Sequence, residues 1–356
     1  MGGYYLGLDI HKRFSQVAVM DQQGVVVEQK RVEHVDREGL REYFRQYAGS
    51  EVALEATVGW AWLADELEAL GLKVHLAHPA GVPLIARSRL KDDQVDAKVL
   101  AQLLRTQFLP ECYLAPPAVR ERRRALRARL GLVQMRTRLK NRIHGALLSQ
   151  GLFSELTDLF GKKGRAWLRT LELPPVSRKN VDRWLLLLEV INQLLGEAES
   201  DLRRWLGDNQ QVKLLMTIPG IGQIIAWTLF AEIGEIERFP RPSKLAAYAG
   251  LVPYTRQSAG RLWQDRLCKQ GNAFLRTAMV EAAWVAVRCD PQWRARYESL
   301  RRRMDAQSAI VVIARKLLQV AFLVLSQRRA YRPFPLRRPP RLSTLSCAPG
   351  SASRAP

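Results

Sequence analysis

YYLGLDIHKRFSQVAVMDQQGVVVEQKRV, residues 4–32, decides the fold class of this chain. Its apolar runs YYLGLDI (4–10), FSQVAVM (14–20) and GVVVEQKRV (24–32) are separated by short polar turns, the pattern of a three-stranded meander. Helical and strand periodicities then alternate. A helix at 37–48 precedes the apolar run EVALEA (51–56), and a helix at 60–70 precedes the strand KVHLA (73–77). A helix near 80–87 leads into KDDQVDAKVLAQLL (91–104). Three antiparallel strands followed by strands alternating with helices predict a mixed α/β domain rather than a doubly wound sheet.

That element order is the order of a ribonuclease-H type domain, although the pairing order of the strands cannot be read from it. Past residue 116 the character changes. PAVRERRRALRARLGLVQMRTRLKNRIH (117–144) carries ten Lys/Arg and one acid. Leu126, Leu130, Val133, Leu139, Ile143 and Leu147 fall mostly three or four apart, or at twice that spacing. This predicts a long amphipathic helix over 117–150 with one packing side and one basic side. Arg120, Arg123, Arg124, Arg127, Arg136, Arg138, Lys140 and Arg142 are its candidate phosphate contacts, against the plainer reading of a solvated helix. Residues 151–180 are less regular, and a second long helix at 181–206 is expected to fold back on the first. A last helix is expected over 291–328. The Pro/Arg/Ser-rich stretch after about 330 reads as a disordered basic tail.

The whole chain has 356 residues, a formal charge of +22 and a pI near 10.4. A charge of that size speaks of partners, and its commonest partner is a phosphate backbone that releases counterions on binding. An anionic membrane is the rival. By this reading no apolar run reaches the ~18 residues a spanning helix needs, the nearest being WLLLLEVINQLL (184–195), broken by Glu189. MGGYYLGLDI has neither a basic segment with an apolar follower nor the Ser or Thr of a myristoylation start, Leu6 standing at that position. The four cysteines are scattered without a CxxC, and no two histidines stand at HxxxH spacing. This argues against zinc and disulfide frameworks and fits a reducing cytoplasm.

Four carboxylates carry the candidate chemistry. Asp9 ends the first strand, where a rigid platform would hold a metal ligand, or where it caps the following turn. Glu55 ends the strand EVALE, a costly place for an unpartnered acid. Asp93 and Asp96 are three apart at the start of the helix AKVLAQLL, so they share one helical face. An N-terminal cap is the plainer reading for one of them, and Asp92, one residue earlier, would point elsewhere and could be that cap. Together these positions can converge on two Mg²⁺ ions about 3.5–4 Å apart, the arrangement that activates attacking and leaving oxygens in phosphodiester chemistry. Further along, IPGIG (218–222) resembles the turn of a helix-hairpin-helix module. Gly220 and Gly222 would leave amides free to accept a phosphate, or simply make a tight turn between helices.

GLDIHK, LEATVGW and K-x-D-x-x-D-A-x-x-LA (91–101) resemble the N-terminal DEDD domain of a bacterial insertion-sequence transposase family. That family is related to the Piv-type DNA invertases and is guided by a bridge RNA. IPGIG, AEIGEIERF, KLAAYAGLVP, QSAGR and K-x-GN-x-x-LR resemble its C-terminal transposase domain. The matches cover about 1–105 and 212–290, in the family's order.

The resemblance implies four segments. Residues 1–110 would be a RuvC-like (ribonuclease-H-like) DEDD catalytic domain, and 111–208 a basic helical coiled-coil linker. Residues 209–328 would form a mostly helical transposase domain, followed by the tail at 329–356. It further implies that Asp9, Glu55, Asp93 and Asp96 bind Mg²⁺, two ions to a site. Ser258, the only serine between Ser243 and Ser299, would be the nucleophile that takes a DNA end as a covalent phosphoserine, with help from a metal or base. Arg256, Arg261 and Lys269 would contact nucleic acid beside it. Donor and target DNA, a structured guide RNA and further copies of the chain (a dimer or tetramer) are the implied partners. Where the family reads Ser-Gly, this chain reads Ser258-Ala259-Gly260, and without the resemblance Ser258 reads as a loop hydroxyl.

Two other functions fit the same residues. In a structure-selective nuclease of the Holliday-junction resolvase type the carboxylates alone act and water attacks. In a non-catalytic nucleic-acid-binding protein they are caps. Salt sensitivity separates none of these, because a chain of this charge binds nucleic acid more weakly in salt in every case.

Overall fold

The computed structural model describes residues 3–57, 59–79, 81–82, 93–258, 261–267 and 271–333, with the backbone alone described for 93–94, 253–258 and 261–267. The chain divides into two units, 1–116 and 117–356. The helix expected at 80–87 lies almost wholly outside the described residues, as do Asp92, Lys269 and the tail beyond 333.

The first unit is built on a six-stranded mixed sheet ordered β3-β2-β1-β4-β5-β6. The strands are β1 (Tyr5–Ile10), β2 (Phe14–Met20), β3 (Val26–Glu33), β4 (Glu51–Glu55), β5 (Lys73–Ala77) and the short β6 (Glu111–Cys112). The opening meander is antiparallel, while β1, β4 and β5 run parallel and β6 closes the far edge antiparallel. Alternation sorts the side chains. Leu6, Leu8, Val17, Val19, Val52 and Leu54 are buried on one face, against Leu40 and Phe44 of α1 (Arg37–Arg45) and Leu63 and Leu67 of α2 (Trp60–Ala69).

The opposite face is covered by α3 (Asp93–Arg105), whose Leu100 and Leu104 pack on Ala53 and Ala77. Gly7 lies directly under this helix. A Cβ there would stand 2.0 Å from the Ala97 carbonyl oxygen and 2.5 Å from the Ala101 amide. Only glycine lets backbone approach backbone this closely, and Ala97 and Ala101, both fully buried, keep the helix side equally thin. The expected mixed α/β domain is present. The two-residue β6, too short to leave a periodicity, is the element the sequence reading lacked.

The second unit is helical but for one ribbon. Its long helices α4 (Pro117–Leu148) and α6 (Pro175–Leu206) pack on each other. Leu126 of α4 shares a cluster with Leu202 and Leu206, and Ile143 and Leu147 share another with Trp184 and Leu185, so the two run antiparallel. Val181, Leu188, Leu195 and Leu202 form the buried seam of α6 at a spacing of seven. α6 begins six residues before the expected 181. Pro175 sits in its first turn, where a fixed φ and a missing N–H cost nothing. The irregular stretch before it contains α5 (Lys162–Thr170).

Helices α7 (Gln210–Leu215), α8 (Gln223–Ile233), α9 (Pro242–Tyr248), α10 (Ala273–Cys289), α11 (Pro291–Arg301) and α12 (Ala306–Gln327) enclose a core around Trp227, Met279, Trp293 and Leu317. Two expectations are corrected here. The single helix over 291–328 is two helices, because Asp305 accepts hydrogen bonds from the Gln307 and Ser308 amides and starts α12 afresh. Between α9 and α10 runs an antiparallel ribbon of β7 (Pro253–Ser258) and β8 (Arg261–Leu267), which the helical expectation for this unit omitted. The apolar inventory also changes. Not 184–195 but α12 is long and apolar enough to cross a membrane by length and composition. More than half of it is buried in this core, the ordinary position of a central helix in a folded domain.

Candidate active site

The carboxylates are brought together by sheet register. β1 and β4 are parallel neighbours with Leu8 opposite Leu54. Asp9 and Glu55 are the next residue on each strand, so both leave the sheet on the face opposite those leucines. That is the face α3 covers. Asp96, in the N-terminal part of α3, directly precedes Ala97, the residue over Gly7.

Electrostatics report the same proximity. The Glu55 carboxyl, half-buried, is raised above the ordinary carboxylate range, first by burial and then by the negative charges of Asp9 and Asp96. His11 stands beside Asp9, with Nε2 3.1 Å from Oδ2, and the His11 ring stacks on Phe14. Asp96 is exposed. Asp93 is the first residue of α3, three before Asp96 and hence on the same helical face, while its side chain lies outside the described residues.

Among the described residues no three His, Cys, Asp or Glu side chains already stand as a closed metal shell. What is present is a set of hard oxygen donors, one of which, Glu55, is raised by burial and by repulsion from the others. A divalent cation would relieve that repulsion, and carboxylate oxygens are the donors Mg²⁺ takes. The residues fit such an ion.

In the second unit Ser258 is the last residue of β7 and stands opposite Arg261, so it ends the ribbon at its turn. Arg256 pairs with Trp263. The side chains of Arg256, Ser258 and Arg261 lie outside the described residues. The ribbon leaves α9 and enters α10 through a narrow neck. A Cβ on Gly271, whose φ is 132°, would meet the Gly250 amide at 2.7 Å, and the Asn272 amide donates to the Tyr248 carbonyl at 2.8 Å.

The comparisons with known proteins agree with both units. Residues 6–151 match a transposase model of the DEDD type, and residues 212–298 match the model described as "Transposase IS116/IS110/IS902 family". A putative transposase of Sinorhizobium fredii is 30% identical over 304 residues, covering 77% of this chain and 76% of its own length. The chain belongs to the DEDD-type insertion-sequence transposase family. A probable family 20 transposase of Pseudomonas aeruginosa is 27% identical, covering 92% of this chain and 98% of its own. The transposase for insertion sequence element IS1111A of Coxiella burnetii is 25% identical, over 92% and 91% respectively. The protein is accordingly a DNA transposase.

The cations of this transposase's basic helix fall into two groups that the sequence did not separate. Arg123 donates to the Ala231 and Glu232 carbonyls at 3.0 and 2.9 Å, and so closes the C-terminal end of α8. Arg127 makes a two-pronged pair with the Glu232 carboxylate, both bonds 2.9 Å. Arg120 is buried, and Arg124 pairs with Glu121 one turn back. Lys140 lies over the Phe160 ring, and Arg136 is half-buried. Arg138 and Arg142 project into solvent.

The PGIG turn divides in the same way. Gly220, at φ 85°, is pressed onto α10, where a Cβ would meet the Ala282 carbonyl oxygen at 2.2 Å, so its role is packing. Gly222 caps α8 with open space around it and no side-chain cap among the described residues. Glu232 and Asn272 were not singled out from sequence as functional residues. The signal was an acid inside the mostly apolar QIIAWTLFAEI, fully buried and therefore in need of partners.

Proposed function

We propose that this transposase cuts and rejoins donor and target DNA using Mg²⁺ ions held by Asp9, Glu55, Asp93 and Asp96 and a covalent phosphoserine formed at Ser258, guided by a structured non-coding RNA. The observation that carries the reading is the arrival of three carboxylates, from β1, β4 and α3, at one end of one sheet face, with Glu55 raised first by burial and then by the other two. That arrangement supports a RuvC-like site in the first unit, and the ribbon supports a separate nucleophile-bearing domain from about 209 onward. The α4–α6 pair supports a coiled-coil linker between them.

Bound Mg²⁺ would supply charge neutralisation at the phosphate and at the oxygens entering and leaving phosphorus. The remaining chemistry belongs to the chain. Asp9 and Glu55 present their oxygens from strand ends and Asp96 from a helix held rigidly on Gly7, so these donors are preorganised, and Asp93, on the same helix, would complete the set. Ser258 Oγ attacks the phosphorus of a DNA phosphodiester. An Oγ–P bond forms, the P–O bond to one deoxyribose breaks, and the serine proton ends on the released sugar hydroxyl. The energy of the diester is conserved in the phosphoserine, which the hydroxyl of a second DNA end resolves by the reverse exchange. Exposed cations such as Arg138 and Arg142 hold backbone without reading bases, and the RNA would read sequence by pairing. Two or four copies would supply the several strand exchanges that recombination needs.

The test is recombination of the gene's own flanking DNA by the purified chain with its co-purifying RNA. Asp93→Asn with Asp96→Asn should abolish Mg²⁺-dependent exchange and leave salt-sensitive binding. Ser258→Ala should leave no protein–DNA adduct. Exchange that survives Ser258→Ala excludes the covalent serine, and exchange that survives ribonuclease treatment excludes the guide RNA.

A further inference from the structure

We propose that Glu232 is a positioning residue that fixes how the Ser258 ribbon leaves the second unit; the consequence for catalysis rests on the reading of Ser258 as nucleophile. Glu232 is 1% exposed, yet it lies on α8 among apolar neighbours and not at the ribbon. Its carboxylate joins two elements, and a third is reached through its backbone. Arg127 of α4 grips both oxygens, and Arg123 of α4 stands 3.6 Å from Oε2. From the other side, Asn272 Nδ2, at the start of α10, donates to Oε2 at 2.7 Å. The same amide group is 3.3 Å from the Tyr248 hydroxyl at the end of α9, and that hydroxyl donates to the Glu232 carbonyl at 3.4 Å.

Tyr248 and Asn272 are the residues between which the ribbon is spliced. Asn272 N–H bonds the Tyr248 carbonyl, and Gly271 presses on Gly250, so the two sides of the neck are held to each other, and Asn272 ties them to the Glu232 carboxylate. A buried ion pair adds little stability by itself, because an apolar cluster of the same volume would hold these helices as well. What it supplies is direction. A bidentate guanidinium pair and a short amide bond accept one geometry, where leucines would accept several. The neck is therefore clamped to α4, the basic helix, through Arg127. Ser258 stands five residues along β7 from Pro253, about 16 Å at strand rise, so a small tilt at the neck becomes a displacement of ångströms at the far end of the strand.

The test uses the full-length chain and two measurements, hydrogen exchange along the backbone and the rate of covalent adduct formation on the gene's own flanking DNA. In Glu232→Gln, adduct formation should fall by about 10- to 100-fold, the loss expected for a misplacement near 1 Å. Affinity for a random-sequence duplex should be unchanged, and exchange should accelerate in the peptides flanking the ribbon but not in α12. Adding Asn272→Asp restores the 232–272 hydrogen bond with donor and acceptor exchanged and keeps an N-cap that serves as well as asparagine, but leaves Arg127 without its two-pronged carboxylate partner; adduct formation and exchange should recover in part.

Uniform acceleration through α8, α10 and α12 would make Glu232 an ordinary core residue and overturn the proposal, as would an unchanged neck. Should Glu232→Gln fail to fold, Tyr248→Phe removes one hydroxyl of the same network and must give the same localised pattern. If the wild-type chain forms no adduct at Ser258, the nucleophile reading fails by itself, and the exchange pattern alone decides whether Glu232 holds the ribbon.

Discussion

Gly7 of β1 lies against Ala97 of α3 so closely that a Cβ would come within 2.0 Å of the Ala97 carbonyl oxygen. This approach sets the height of the helix above the sheet, and with it the distance between Asp96 on one side and Asp9 and Glu55 on the other. A methyl group at position 7 cannot be absorbed by a side chain, since both nearest atoms belong to the backbone of α3.

Gly7→Ala is therefore expected to lift α3 and spread the carboxylates. Overpacking of this kind costs about 1–3 kcal/mol of stability, seen as a lower midpoint in thermal unfolding. Metal-dependent strand cleavage should fall far more than the folded fraction does at the assay temperature. Cleavage that merely follows the folded fraction would mean that α3 height does not set the site.

Glu55 gives a pH prediction for the metal-free chain. Its carboxyl is raised by burial and by Asp9 and Asp96, so between its ordinary and its raised value the native state holds more proton than the unfolded state. Stability then falls as pH rises through that window and is regained as pH falls. Urea unfolding across the acid range should show this slope, and Glu55→Gln should flatten it and stabilise the metal-free chain at neutral pH. Added Mg²⁺ should do the same for wild type by offsetting the repulsion. A slope unaffected by both would place its origin elsewhere.

Much of this site was legible because its parts obey short-range rules. The meander and the strands 51–55 and 73–77 announce themselves by period, and Asp9, Glu55 and Asp96 stand at element ends that the pattern locates within a residue or two. What the pattern could not supply was long-range pairing. That β1 neighbours β4, with Leu8 opposite Leu54, is set by tertiary packing, and the convergence of Asp9 with Glu55 depends on it. The basic helix shows the converse. Arg123 and Arg127 look like Arg138 and Arg142 in sequence, and only the buried Glu232, over a hundred residues away, separates them. The ribbon was missed because PYTRQS and RLWQDRL carry few β-branched residues and sit between strong helices.

The α4–α6 pair offers a stability contrast between neighbours. Leu188 is fully buried in the seam, whereas Leu187 is 49% exposed on the outer face. Leu188→Ala should cost about 2–5 kcal/mol by transfer and cavity terms, and Leu187→Ala no more than about 0.5 kcal/mol. Chemical denaturation of the two variants measures this directly. Equal losses would mean that Leu187 is also covered in solution.

Arg138 and Arg142 on one hand, and Arg123 on the other, should fail in different ways. The first two are solvent-exposed on α4, so alanine there should weaken binding to any duplex. The slope of log affinity against log salt should drop by about 1 for each phosphate that is no longer neutralised. Thermal stability should hardly change. Arg123→Ala instead uncaps the end of α8, taking the guanidinium donor from the Ala231 carbonyl and leaving the Glu232 carbonyl with the longer Tyr248 bond alone. Unsatisfied buried acceptors cost about 1–3 kcal/mol, so its unfolding midpoint should fall while the salt slope of the remaining folded protein stays at the wild-type value. A reduced slope in Arg123→Ala would show that this guanidinium meets phosphate after all and that its bonds to α8 are exchanged when nucleic acid binds.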